Sequence, residues 1–191
     1  MEKAYWMLEL ALKKAPQVGI LYYQKGRLLW AKNKYQEAIE AFSRAIQLKA
    51  NTYESHIFLG QVYLRDQDLS LAAKHFRVVL EANPGNRVAL MAMAEISIQL
   101  RDTSAAIRYL EKMLQSDAKN GLVHFRLAKI LEGDSEYLKA LDHYRLAKKF
   151  LSLNMKEQTE ARDKIVVLRN MMASQREPAM NSESEKKKVA K

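Results

Sequence analysis

Small side chains return along this chain at a fixed interval. Ala38, Ala72, Ala106 and Ala140 are evenly spaced, with a period of thirty-four positions, and twelve positions before them lie Gly26, Gly60, Ala94 and Ala128. Four positions after each alanine comes a large apolar or aromatic side chain: Phe42, Phe76, Leu110 and Tyr144. Three further on lie Ala45, Val79, Met113 and Ala147. The units align without insertion or deletion. Self-similarity at such a period marks stacked-repeat architectures, where each unit buries its apolar face only against its neighbours.

Within a unit, the pattern predicts two helices packed antiparallel. Gly26 or Gly60 on the first is expected to face Ala38 or Ala72 on the second, because a larger side chain would push the axes beyond the usual ~8–10 Å. Phe42, Phe76, Leu110 and Tyr144 are expected to fill the gap between a second helix and the next unit. Tyr35 and Tyr137 recur near the starts of second helices. Asp68 and Asp102 stand where their carboxylates can accept free backbone N–H groups, and Pro84 follows the end of a second helix. Ala, Leu, Glu, Lys, Gln and Arg dominate the composition, and all are good helix formers.

These residues resemble the signature of the tetratricopeptide-repeat family, W-x2-L-G-x2-Y followed by A-x3-F and then P. The second unit matches best, through Leu59, Gly60, Tyr63, Ala72, Phe76 and Pro84. The first keeps Gly26, Ala38, Phe42 and Ala45, with Lys25 and Ala50 in place of Leu and Pro. The third carries Met93, Ala94, Ser97 and Ala118 in place of Leu, Gly, Tyr and Pro; the fourth keeps Leu127, Ala140 and Ala147. The resemblance implies an all-α, right-handed superhelical solenoid of antiparallel helix pairs, with repeats at 19–52, 53–86, 87–120 and 121–154.

Both flanks continue the pattern. Ala4, Leu8, Ala11 and Pro16 sit one full period before Ala38, Phe42, Ala45 and Ala50. Residues 1–18 are therefore expected to be the second helix of an incomplete repeat, leaving Tyr5, Leu8 and Leu12 uncovered. Either an upstream segment has been removed, or another chain covers that end. Residues 155–173 carry Ala161, Ile165, Leu168 and Met172 on one stripe, as a capping helix does. Residues 174–191 are rich in Ser, Glu, Lys and Asn and read as a disordered basic tail.

The resemblance further implies that first helices line a concave groove. The positions facing it would be Ile20, Tyr23, Arg27 and Trp30, then Glu54, Ile57, Gln61 and Leu64. Val88, Met91, Glu95 and Ile98 follow, and then Leu122, Phe125, Lys129 and Glu132. Most are apolar or aromatic, and an exposed apolar strip marks a binding surface. Trp30, Tyr23 and Phe125 are the residue types expected as anchors. Some relatives hold a C-terminal carboxylate through Lys, Arg and Asn in this groove. Here the matching places are Tyr23, Arg27, Phe58, Val88 and Ala92, with a single cation, so that mode is not expected.

Chemistry is sparse. The absence of cysteine excludes disulfides, thiolate metal sites and thiol nucleophiles. His56 and His124, like His75 and His143, are two periods apart, which marks them as repeat equivalents and not as ligands. No phosphate-binding loop or nucleophile elbow occurs. The carboxylates Glu37 and Glu40 fall at solvent-facing places of the family pattern. No enzyme, metal or cofactor is expected. No apolar run approaches the roughly 18 residues of a spanning helix, and Met1 to Pro16 lacks the plan of a signal peptide. The expected location is cytoplasmic, or periplasmic if an upstream signal has been removed.

Net charge is +10. Residues 143–173 hold 7 basic and 3 acidic side chains, against 20 and 16 in residues 1–142. A protein-binding scaffold or adaptor is the leading expectation, its groove taking a hydrophobic or amphipathic segment of a partner within a larger assembly. Self-association through the incomplete N-terminal repeat is a further expectation. The alternatives are a rigid spacer, or binding of an acidic partner or nucleic acid by Arg145, Lys148, Lys149, Lys156, Arg162, Lys164 and Arg169. Nucleic acid is the weaker of these, since no aromatics interleave those cations for base stacking.

Overall fold

A computed structural model describes residues 2–152 and 155–174. The described residues form ten helices and no strand. In chain order they are α1 (Glu2–Lys14), α2 (Gly19–Ala31), α3 (Tyr35–Gln47), α4 (Thr52–Arg65), α5 (Leu69–Ala82), α6 (Arg87–Gln99), α7 (Thr103–Ser116), α8 (Gly121–Gly133), α9 (Tyr137–Phe150) and α10 (Lys156–Ser174). The chain divides into two compact units, Met1–Lys112 and Met113–Lys191.

In the first unit each helix packs on its successor from α1 through α6, and α4 also touches α6. In the second unit α8 packs on α9, and α10 packs on both. The residues that carry the repeat are the core. Ala38, Ala72, Ala106 and Ala140 are fully buried, as are Phe42, Phe76, Leu110 and Tyr144.

The atoms nearest Gly26 and Gly60 belong to the rings of Phe42 and Phe76. A methyl group on Gly26 would lie 2.7 Å from the Phe42 ring, and one on Gly60 would lie 2.8 Å from the Phe76 ring. The closest approach thus serves an aromatic side chain that reaches across to the first helix. Phe42 does also reach the next pair, stacking on Phe58 of α4 at 4.8 Å between centroids and 4° between planes.

The corner inside each pair is built one way. Asn33, Gln67, Arg101 and Ser135 all have positive φ, between 58° and 62°, and they follow one another at the repeat interval. The amide of the following residue reaches back to a carbonyl five positions earlier, as in Lys34 to Leu29 and Asp102 to Ser97 at 2.9 and 2.8 Å. This is a left-handed helix end made without glycine. Asp68 and Asp102 then accept from the amides of Leu71 and Ala105. Asn86 and Asn120 cap the first helices α6 and α8 in the same way.

α1 corrects one expectation. Leu12 is buried, and Tyr5 and Leu8 are half-buried, because this stripe faces α2. The open side chains are Trp6, Met7 and Leu10 instead. On α10, Ala161, Ile165 and Leu168 are buried and Met172 is half-buried. The tail expected at 174–191 lies, apart from Ser174, outside the described residues.

Candidate functional site: the wall of first helices

The sequence places sixteen side chains on this wall, and the structure sorts them. In the first unit Ile20, Val88 and Ile98 are exposed. Ile57, Leu64 and Met91 are half-buried, as are Gln61 and Glu95. Ile57 and Leu64 rest on a core cluster of Ala72, Phe76, Met93 and Ile96, so α4 and α6 share one apolar surface with its outer edges open. Arg27 and Glu54 are exposed and add a charge of each sign.

Tyr23 is not on the open wall. It is buried, with its ring 6.1 Å from Phe42 and 6.3 Å from Phe58, and the Arg27 guanidinium lies 5.8 Å over it. Trp30 is half-buried and sets its edge against Tyr35 at 5.3 Å and Phe58 at 5.7 Å. Arg65 covers the Tyr35 ring at 3.7 Å. Aromatic pairs at such separations contribute about 0.5–1.5 kcal/mol beyond their burial. The expected anchors Tyr23 and Trp30 therefore hold α2, α3 and α4 together. Phe58 is the hub of that cluster, a role that the sequence does not signal, because its register mates Gln24, Ala92 and Arg126 share nothing with it.

In the second unit the wall is largely closed by the chain itself. Leu122 is half-buried, and Phe125 is buried with its ring 5.9 Å from Tyr144. Lys129 pairs with Glu160 of α10 at 3.3 Å. Glu132 accepts from Lys164 of α10 and from the Tyr144 hydroxyl, both at 2.6 Å. Burial pushes Glu132 up, but the bonds from Lys164 and Tyr144 outweigh it and hold the carboxyl below its usual range. α10 is thus pinned over positions expected to be open.

That pinning also bears on the basic C-terminal stretch. Lys164 is committed to Glu132, Arg145 pairs with Asp142 at 2.8 Å, and Arg162 lies 3.5 Å from Asp163. The Lys164 pair is partly buried, whereas the Arg145 and Arg162 pairs are exposed, where such contacts are weak.

The histidines meet in a way that their two-period spacing concealed. His56 Nδ1 lies 2.8 Å from His75 Nδ1, and His124 Nδ1 lies 3.0 Å from His143 Nδ1. Each pair spans one helix hairpin, and the rings meet at 40° in both. One N–H serves two nitrogens in each pair. His124 also places Nε2 at 3.1 Å from the Ala118 carbonyl, which therefore accepts from it. Burial first, then His56 and Lys74, hold His75 down to about 4. Among the described residues no three or more His, Asp or Glu side chains are grouped to hold a metal ion.

Comparison with known proteins now adds to the geometry. The family described as the TPR domain of cytochrome c-type biogenesis protein H matches residues 6–121, more than half of the chain. The chain belongs to this tetratricopeptide-repeat (TPR) family. It is 28% identical over 121 residues to anaphase-promoting complex subunit 3 of Schizosaccharomyces pombe, covering 63% of this chain and 18% of that one. It is 27% identical over 131 residues to the CTR9 homologue of Arabidopsis thaliana, covering 66% and 12%. The chain thus spans under a fifth of these relatives' lengths.

Solved TPR structures share its fold. A MamA double mutant from RS-1 superposes with a TM-score of 0.71 at 20% identity, over 78% of this chain and 84% of that one. PilF of Pseudomonas aeruginosa gives 0.69 at 16%, over 98% and 89%. YrrB, described as a TPR protein with an unusual peptide-binding site, gives 0.65 at 17%, over 84% and 91%. No described helix is long and apolar enough to cross a membrane.

Proposed function

We propose that this TPR chain is a non-catalytic scaffold that holds an amphipathic segment of another protein on the first-helix wall of its first unit. The observation that carries this reading is the open apolar surface on α4 and α6, with Ile57, Leu64 and Met91 half-buried and Val88 and Ile98 exposed. Ile20 adds a further exposed apolar side chain on α2. Apolar side chains left open beside a packed core are what a helix-in-groove partner covers. Arg27, Glu54 and Gln61 would orient that segment, and Tyr23, Trp30 and Phe58 would keep the wall rigid beneath it. Leu122, Phe125 and Lys129 take no direct part in this reading. Family membership supports it, as does the peptide-binding site in the description of YrrB.

The test uses side chains whose loss leaves the core intact. Ile20→Ser, Val88→Ser and Ile98→Ser together should abolish capture of the partners that the unaltered chain retains from extract, with far-UV helicity unchanged. Capture of the same proteins by the triple variant would reject the wall as the site.

A further inference from the structure

Trp6 stands where the repeat puts a charge. Its register mates in the later second helices are Glu40, Lys74, Arg108 and Asp142, and all four are exposed. For α3, α5 and α9 a first helix is already packed against the second, yet that position stays open. An uncovered hairpin partner therefore does not account for the indole at this place, whereas Met7 holds a position that is buried or half-buried in the later second helices, as Ala41, His75, Tyr109 and His143.

The surroundings of Trp6 form a surface with its own character. Trp6 is 64% exposed, Met7 57% and Leu10 41%. At about 100° per residue, Lys3, Trp6, Met7, Leu10, Lys13 and Lys14 share one arc of roughly 120° on α1. All six are exposed, and the half-buried or buried Tyr5, Leu8 and Leu12 lie on the other side. Along the helix axis the apolar residues occupy the middle of this strip. Lys3 closes one end and Lys13 and Lys14 the other, about 15 Å away along the axis at roughly 1.5 Å per residue.

This charge pattern selects among occupants. Antiparallel pairing with a second copy sets Lys3 against Lys13 and Lys14 at both ends, and parallel pairing sets each lysine against its own mate. Like charges so placed oppose association, so the self-association expected of this end is disfavoured. A bilayer takes up helices with a long apolar face, whereas here the apolar residues occupy little more than one turn. A single helix whose short apolar stripe is bracketed by carboxylates satisfies both features.

We propose that the outer face of α1 docks an acidic amphipathic helix of a partner protein. Trp6 is the buried anchor, Met7 and Leu10 widen the contact, and Lys3 and Lys13 with Lys14 pair with carboxylates about 15 Å apart. The surface is distinct from the wall of first helices, so the chain can bridge two partners.

The chain has two tryptophans, so Trp30→Phe leaves Trp6 as the sole indole reporter. The probe is a synthetic helical peptide with a leucine stripe and glutamates at both ends, matched by one with lysines there. The glutamate peptide should shift Trp6 emission to the blue and saturate. Lys3→Glu with Lys13→Glu and Lys14→Glu should weaken it by roughly tenfold or more and switch preference to the lysine peptide. Trp6→Ala should abolish binding of the labelled glutamate peptide, with helicity kept. The Ile20, Val88 and Ile98 triple variant should bind it normally, which separates this site from the wall. Equal binding of the two peptides, or binding of neither, would overturn the proposal. So would a blue shift produced only by phosphatidylserine vesicles, or one that tracks self-association in sedimentation.

Discussion

Gly26 lies beneath the Phe42 ring, with room for a hydrogen and none for a methyl. Phe42 cannot yield, because it is fully buried and stacks on Phe58. Alanine would gain about 1 kcal/mol of helix propensity over glycine, but overpacking a tight core costs about 1–3 kcal/mol. Gly26→Ala should therefore be net destabilising, by up to about 2 kcal/mol in chemical denaturation. Phe42→Leu in the same chain should recover part of the loss, since it removes the colliding ring.

Tyr144 and Glu132 should couple energetically. The Tyr144 hydroxyl sits on a fully buried side chain and donates to Glu132, which also holds Lys164 of α10. Glu132→Ala leaves that hydroxyl without its acceptor, at a cost of about 1–3 kcal/mol. In a double-mutant cycle with Tyr144→Phe, the second substitution should remove much of the penalty. The first sign should be faster hydrogen exchange in α10.

How much of this was legible can be judged at particular residues. The stacking of helix pairs is written in Ala38, Phe42 and their register mates, since a buried contact repeated four times needs the same kind of side chain each time. The left-handed corners were not legible, because Asn33, Gln67, Arg101 and Ser135 share no residue type and none is a glycine. On the wall, Tyr23 is separated from the core residue Gly26 by less than one helical turn. A ring at the edge of an apolar arc tips inward when Phe42 and Phe58 offer it a pocket, and no spacing rule reports that. The closure of the second unit's wall was hidden for another reason. It depends on Lys164 and Glu160 reaching back to Glu132 and Lys129 from a helix about 30 residues on, and ion pairs of that range leave no periodic trace.

Acid should loosen the first unit through its histidine pair. His75 is held down to about 4, chiefly by burial, and burial also holds His56 low. A histidine depressed in the folded state binds its proton more readily when unfolded. The stability that it contributes is thus complete above about pH 6.5 and is lost as pH falls toward 4. Two protonated rings sharing a 2.8 Å contact would also repel. The melting temperature should fall across that window. His56→Leu with His75→Tyr, which copies Leu90 and Tyr109 of the next repeat, should flatten the profile. An unchanged profile in that variant would place the acid sensitivity elsewhere.

The recurring corners have a consequence for how this chain can vary in length. Because Asn33, Gln67, Arg101 and Ser135 turn the backbone identically, a cut made at one corner can be rejoined at another with the junction conserved. Blocks of one whole period are then interchangeable cassettes. A gain or loss of any other size inside a helix would rotate the residues beyond it in that helix off their packing face, at about 100° per residue. The periodicity is therefore also a constraint on inheritance: such a chain grows or shrinks by duplication or excision of complete modules.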